Sequence, residues 1–114
     1  MDRMTKSQRE AVYERYHGHC AYCGKPIRYK DMQVDHIIPR RRGRQDTMDN
    51  YNPACRRCNF YKSTDTIDQF REQIMTVQDR VLKAYAAMVA LDYGIIEVKQ
   101  WDGRFYFEKG ARNG

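Results

Sequence analysis

The chain has 114 residues, 41% of them hydrophobic and 32% charged, with a formal net charge of +6 and a pI near 9.3. That length suits one domain spanning 1–114, and the even spread of aromatic and aliphatic residues excludes wholesale disorder. No apolar stretch approaches a membrane span and the start Met1-Asp-Arg-Met-Thr-Lys6 is polar, so the expectation is a cytoplasmic protein with no membrane partner.

In chain order, Ser7-Gln-Arg-Glu10 fits a capping box and predicts a helix from about Gln8 to Tyr16, with Ala11, Val12 and Tyr16 on its buried stripe and Gly18 as its stop. Cys20-Ala-Tyr-Cys23 follows, with Gly24 making a tight turn. Met32 to Ile38, rich in Val and Ile, reads as a strand ended by Pro39. Arg40-Arg41-Arg42-Gly43-Arg44 is a basic loop, and a short strand near Asn50 and Tyr51 returns the chain to Cys55-Arg-Arg-Cys58. A helix then carries Arg56 to Ser63.

Thr64 or Thr66 caps the next helix, to about Met75. Another spans roughly Gln78 to Leu91, with Val81, Leu82, Tyr85, Met88 and Val89 as its apolar face. Asp102-Gly103 between two β-prone runs, Ile95–Lys99 and Arg104–Glu108, signals a terminal β-hairpin. Residues 7–63 read as the core and 64–114 as accessory helices plus hairpin, an α+β chain in total.

The charge is uneven. Residues 1–63 hold 14 Lys and Arg against 7 Asp and Glu; residues 64–114 hold 7 against 8. The basic half coincides with the cysteines, which favours a polyanionic partner, most simply nucleic acid. The four cysteines form two Cys-x-x-Cys pairs separated by 31 residues. In a reducing compartment, paired motifs of this kind hold metal more often than disulfides, and four thiolates close a tetrahedral structural zinc site at Cys20, Cys23, Cys55 and Cys58. His17 and His19 are then surface residues rather than ligands. Asp35, His36 and Asn59, inside and beside this frame, are not needed for zinc and look like a second, catalytic site.

The run Cys20-x-x-Cys23-Gly24, Val34-Asp35-His36-Ile-Ile-Pro39, Asn50-x-x-x-x-Cys55-x-x-Cys58-Asn59-x-x-Lys62 resembles the HNH endonucleases with a zinc-braced ββα-metal (His-Me finger) core, over roughly residues 7–62. The final letter is Asn59 rather than His, which makes this the HNN variant. The resemblance implies a metal-dependent endonuclease on double-stranded DNA, of the small stand-alone type of bacteria and their phages. It implies His36 as general base and Asp35 with Asn59 as ligands of one catalytic Mg²⁺ or Mn²⁺. Asn50 would hold the loop between the two strands. A carboxylate plus an amide oxygen is a hard donor set, which favours those ions over Zn²⁺. Histidine as a residue type titrates near about pH 6.5 and suits proton abstraction at neutral pH.

Beside the phosphodiester site, Arg40, Arg41, Arg42 and Arg44, with Arg56 and Lys62, are expected to contact DNA phosphates. Adjacent strand residues point to opposite faces, so Asp35 and His36 share a pocket only where the strand ends. Asn52 is an alternative to Asn50. The aromatic residues after position 84 read as core rather than as a base-stacking platform. The competing reading is a zinc-braced nucleic-acid-binding module that does not cut. Partners beyond DNA are a homodimer or a larger DNA-processing complex.

Overall fold

A computed structural model describes residues 4–39, 43 and 45–110. The first helix, α1 (Lys6–Glu14), begins two residues earlier than the sequence suggests. Two capping frames overlap there, and Thr5 with Gln8 is the one used: the Thr5 hydroxyl accepts from the Gln8 N–H, and the Gln8 side chain accepts from the Thr5 N–H. Val12 is the wholly buried residue of α1 and packs with Met32 and Tyr51. Two arginines staple α1 to the following segments. Arg9 donates to the carbonyls of Tyr29 and Met32, and Arg15 to those of Tyr51 and Met48.

Strands β1 (Gln33–His36) and β2 (Tyr51–Ala54) form an antiparallel pair with Asp35 opposite Asn52 and His36 opposite Tyr51. Pro53 sits in β2 without loss, because a two-stranded sheet leaves an edge N–H unused; its carbonyl instead accepts from the Ala21 N–H in the first Cys-x-x-Cys turn, at 2.8 Å. Helix α2 (Arg56–Lys62) follows β2 directly, started by Cys55, whose sulfur accepts from the Cys58 N–H. β1, β2 and α2 are the expected ββα unit, and with the flanking helices they make an α+β fold.

Thr66 is the cap of α3 (Ile67–Met75), again with a full capping box through Gln69. The predicted helix over 78–91 is two helices, α4 (Val77–Leu82) and α5 (Tyr85–Asp92), separated where Ala84 takes an extended conformation. The apolar residues assigned to its buried face are mostly in solvent: Val81, Tyr85, Met88 and Val89 are exposed.

The expected terminal hairpin does not form among the described residues; Tyr106–Lys109 is a short 3-10 turn. The backbone N–H groups of Tyr106 and Phe107 donate to the carbonyls of Tyr22 and Ala21 rather than to residues 95–99. Arg71 on α3 holds the same segment, donating to the Gly103 carbonyl and to both carboxylate oxygens of Glu108. Phe105 and Phe70 are buried against Tyr22, Cys20 and Cys55, with Trp101 and Phe107 packed around them. Trp101, Phe105 and Phe107 are therefore core, as the sequence suggests, whereas Tyr85 and Tyr93 are exposed. Gly24 is required here: its φ is +82°, and a Cβ would meet the Tyr106 ring at 2.7 Å.

Candidate metal centre and active site

The two Cys-x-x-Cys turns converge. Cys20, Cys23, Cys55 and Cys58 place their sulfurs within 4.8 Å of one another, with Cys23 and Cys55 4.0 Å apart. Tetrahedral zinc with Zn–S bonds of about 2.3 Å needs sulfurs about 3.8 Å apart, so the donor set and spacing fit that ion. Four thiols this close compete for protons. Hydrogen bonds with Cys20 and Cys58 pull the Cys23 thiol down to about 3, and contacts with Cys20 and Cys23 push the Cys58 thiol far up. A dication at the centre removes that conflict by accepting all four as thiolates.

The second constellation lies at the end of β1. Asp35, His36 and Asn59 border one cleft of about 220 Å³, together with Pro39, Ser63 and Thr64. Val34, Asp35 and His36 are successive in β1 and all border this cleft, where the strand ends at His36. Asp35 points inward and is 5% exposed. Its Oδ2 accepts from the Tyr22 hydroxyl at 2.5 Å and lies 3.1 Å from Lys62 Nζ. Burial raises the Asp35 carboxyl above the usual aspartate range, outweighing the opposing pull of Lys62 and Tyr22. Burial also holds the Tyr22 hydroxyl far above its ordinary value, with the Asp35 charge adding to this, so it remains a donor.

His36 lies edge-on to Tyr51, its partner across the strands, with ring centroids 5.2 Å apart. Its Nε2 is 2.9 Å from Asp46 Oδ1. Asn50 staples the segment between the strands: its side chain accepts from the Ile38 N–H and donates to the carbonyls of Ile38 and Gln45. Asn52 does different work. It is buried beside Asp35, and its Nδ2 donates to the Tyr22 hydroxyl.

Lys62 is placed otherwise than the sequence reading expects. It is 0% exposed, with Nζ 2.9 Å from the His36 carbonyl oxygen and 3.1 Å from Asp35, so it faces the interior and not a DNA phosphate. Its helix turns it inward, where Asp35 needs a counter-charge. Arg56 is exposed on the same helix. Arg40, Arg41, Arg42 and Arg44 lie outside the described residues. His17 is exposed and His19 half-buried; the latter stacks on Tyr106 rather than joining the cysteines.

Residues 20–65 match the family model for HNH endonuclease. That segment, less than half of the chain, is similar to an HNH endonuclease domain. Over 50 residues it is 43% identical to the CRISPR-associated endonuclease Cas9 of Corynebacterium diphtheriae, a match covering 43% of this chain and 5% of that protein. The crystal structure of the Type II-C Cas9 enzyme from Actinomyces naeslundii superposes with a TM-score of 0.56 at 28% identity, over 64% of this chain and 9% of the other. The HNH domain is thus homologous to a region of Cas9 proteins, and the chain spans less than a tenth of either relative. No helix among the described residues is long and apolar enough to cross a membrane.

Tyr22 and Asp46 are the site residues that sequence reasoning missed. Tyr22 does carry a signal, a phenol between two cysteines of the four-sulfur cluster and so fixed in position. Asp46 offers a weaker one, an acidic residue just beyond an arginine-rich loop.

Proposed function

We propose that this chain is a metal-dependent endonuclease that hydrolyses phosphodiester bonds of double-stranded DNA. The observation that carries the proposal is the convergence of Asp35, His36 and Asn59 on one cleft beside the four-cysteine cluster. His36 takes the proton from the attacking water. With Nε2–H donated to Asp46, the imidazole holds its lone pair on Nδ1, the same orienting logic as in other His–carboxylate pairs. Asp35 and Asn59 would hold a Mg²⁺ or Mn²⁺ ion, which would supply charge neutralisation at the scissile phosphate.

The donor chemistry fits such an ion. Asp35 Oδ1 touches Lys62 only at 3.5 Å, so it keeps acceptor capacity toward the cleft. Asn50 ties Ile38 to Gln45, and the zinc clip holds α2 against the sheet. Arg56, with the arginines at 40–42 and 44, contacts the DNA backbone. One chain presents one such cleft, so cutting both strands takes a homodimer or two encounters.

The test is supercoiled-plasmid cleavage by the zinc-loaded protein with Mg²⁺, with Mn²⁺ or with neither, beside His36→Ala. Nicked or linear product that needs the ion and falls by about 10²–10⁴-fold in the variant is the expected result. No product with either ion, together with a retained plasmid shift, would replace this reading by the non-cutting binding module.

A further inference from the structure

A groove larger than the cleft described above lies elsewhere among the described residues. It has a volume of about 810 Å³ and runs between the segment from Lys25 to Gln33, which follows the first Cys-x-x-Cys turn, and the outer face of α2. Lys25, Lys30, Arg56 and Arg57 line it and are exposed. None of the four pairs with a carboxylate among the described residues; the one acid in the groove, Asp31, is already bridged by Arg28 at 2.8 Å. Beyond the Arg28–Asp31 pair, the groove is therefore a concentrated positive field. Phe60 borders it and is 83% exposed, an apolar ring in water among cations.

α2 separates this groove from the cleft. Asn59 borders the cleft, and its neighbour Phe60 borders the groove. Gln33 and Asp35 on β1 divide in the same way. A polynucleotide with one phosphate at Asp35, His36 and Asn59 has the groove as its next support across α2.

The geometry points to this groove as the seat of a single strand of DNA next to the cleavage site, with a base stacked on Phe60 and phosphates on Lys25, Lys30 and Arg57. This rests on the nuclease reading for its register and goes beyond it in naming the substrate's form. Duplex DNA keeps its base faces covered by one another, so it satisfies the cations but offers nothing to an exposed benzyl ring. An unstacked base does, and cations with interleaved aromatics are the usual means of holding single strands. Substrates with a gap, flap or melted stretch on that side of the scissile bond are then bound in preference to continuous duplex.

The experiment uses the full zinc-loaded chain without Mg²⁺ or Mn²⁺. It measures anisotropy of a fluorescent oligo-thymidylate about 20 nucleotides long and of a duplex of equal length. Quenching of a 2-aminopurine base in the strand reports stacking. Phe60→Ala is expected to weaken strand binding about tenfold and abolish the quenching, with duplex affinity little changed, and Phe60→Trp to restore both. The Lys25→Glu/Lys30→Glu pair is expected to flatten the salt dependence by about 0.7 in slope for each phosphate left without its cation. Strand affinity equal to wild type in both Phe60→Ala and the lysine pair overturns the inference. So does polyglutamate competing as well as the strand, or an oligo-uridylate binding about tenfold more tightly than the DNA. Plasmid cleavage is read separately. If the protein does not cut but the variants behave as expected, the groove stands and the nuclease reading falls. If it cuts but the variants bind like wild type, the reverse holds.

Discussion

The ammonium group of Lys62 lies 2.9 Å from the carbonyl oxygen of His36 and 3.1 Å from Asp35 Oδ2, with its side chain wholly buried. One cation thereby fixes the end of β1 to the last turn of α2 and neutralises the carboxylate proposed to hold the catalytic ion. Removing one member of a buried pair leaves the other uncompensated. Lys62→Ala is therefore expected to cost about 3–5 kcal/mol of stability. Lys62→Met combined with Asp35→Asn should recover most of it, because neither charge is then stranded. Urea unfolding of the single and double variants measures this. Equal losses in both would show that packing, and not charge, holds Lys62 in place.

Tyr22 links the C-terminal segment to the site. Its ring is enclosed edge-on by Phe70, Phe105 and Phe107, and its hydroxyl donates to Asp35. Tyr22→Phe keeps the packing and loses a hydrogen bond to a charged group, worth about 1.5–3 kcal/mol. The expected outcome is a higher Mg²⁺ concentration for half-maximal cleavage with the zinc content unchanged. Phe105→Ala opens the enclosure itself and is expected to cost about 3–5 kcal/mol in unfolding. An unaltered Mg²⁺ dependence in Tyr22→Phe would mean the hydroxyl serves only the fold.

Asp46 is proposed to orient His36 through Nε2. Asp46→Asn keeps the size and loses the charge, so cleavage should fall about tenfold or more. DNA affinity is expected to remain within about twofold, since the carboxylate contributes no phosphate contact. A cleavage rate equal to wild type in Asp46→Asn would separate Asp46 from the chemistry.

The cysteine frame and the ββα order are legible in the sequence, the frame because each cysteine pair keeps a short, fixed spacing, and Asp35, His36 and Asn59 border one cleft. Two Cys-x-x-Cys turns supply four sulfurs to one tetrahedral ion, whereas the strand ends at His36, before the Pro39 that the sequence suggests as its stop. The C-terminal half is less legible because its structure is decided at long range. Asp102-Gly103 is a sound local hairpin signal, but the N–H groups of Tyr106 and Phe107 find carbonyls in the first knuckle, more than eighty residues away. The inward turn of Lys62 has the same origin. A basic residue on a basic helix looks like a phosphate contact until the buried Asp35 beneath it is known. Overlapping frames around Thr5 and Ser7 account for the shifted start of α1, where local propensity alone does not choose.

Arg71 and Glu108 tie α3 to the terminal turn through two 2.7 Å contacts, each side chain about a quarter exposed. Hydrogen bonds from Arg71 are the main reason that the Glu108 carboxyl sits below the usual glutamate range. A lowered native value means stabilisation that is present above the unfolded value, about 4.3, and is lost as the pH falls through the native one. Glu108→Gln lacks this contribution at every pH. The wild type should exceed it by about 1 kcal/mol at neutral pH, a figure that allows for solvent screening. The gap should hold down to about pH 5 and close below about pH 4. Taking the difference between two proteins cancels the titration of the zinc thiolates. A gap that widens in acid would reverse the assigned sign.

Zinc removal is the most global test, because the four sulfurs join two segments separated by 31 residues and anchor Tyr22, the start of α2 and the terminal turn together. Binding free energy at such a site is folding free energy. Chelation, or Cys55→Ser, is expected to abolish the cooperative melt and to collapse the far-ultraviolet circular dichroism of the ββα unit. Added Zn²⁺ should restore both in the chelated wild type. Protons should be released on metal addition, since at least the Cys58 thiol is held protonated by its neighbours until a cation arrives. A chelated protein that melts at the same temperature would show that the aromatic cluster around Phe70 and Phe105 carries the fold alone.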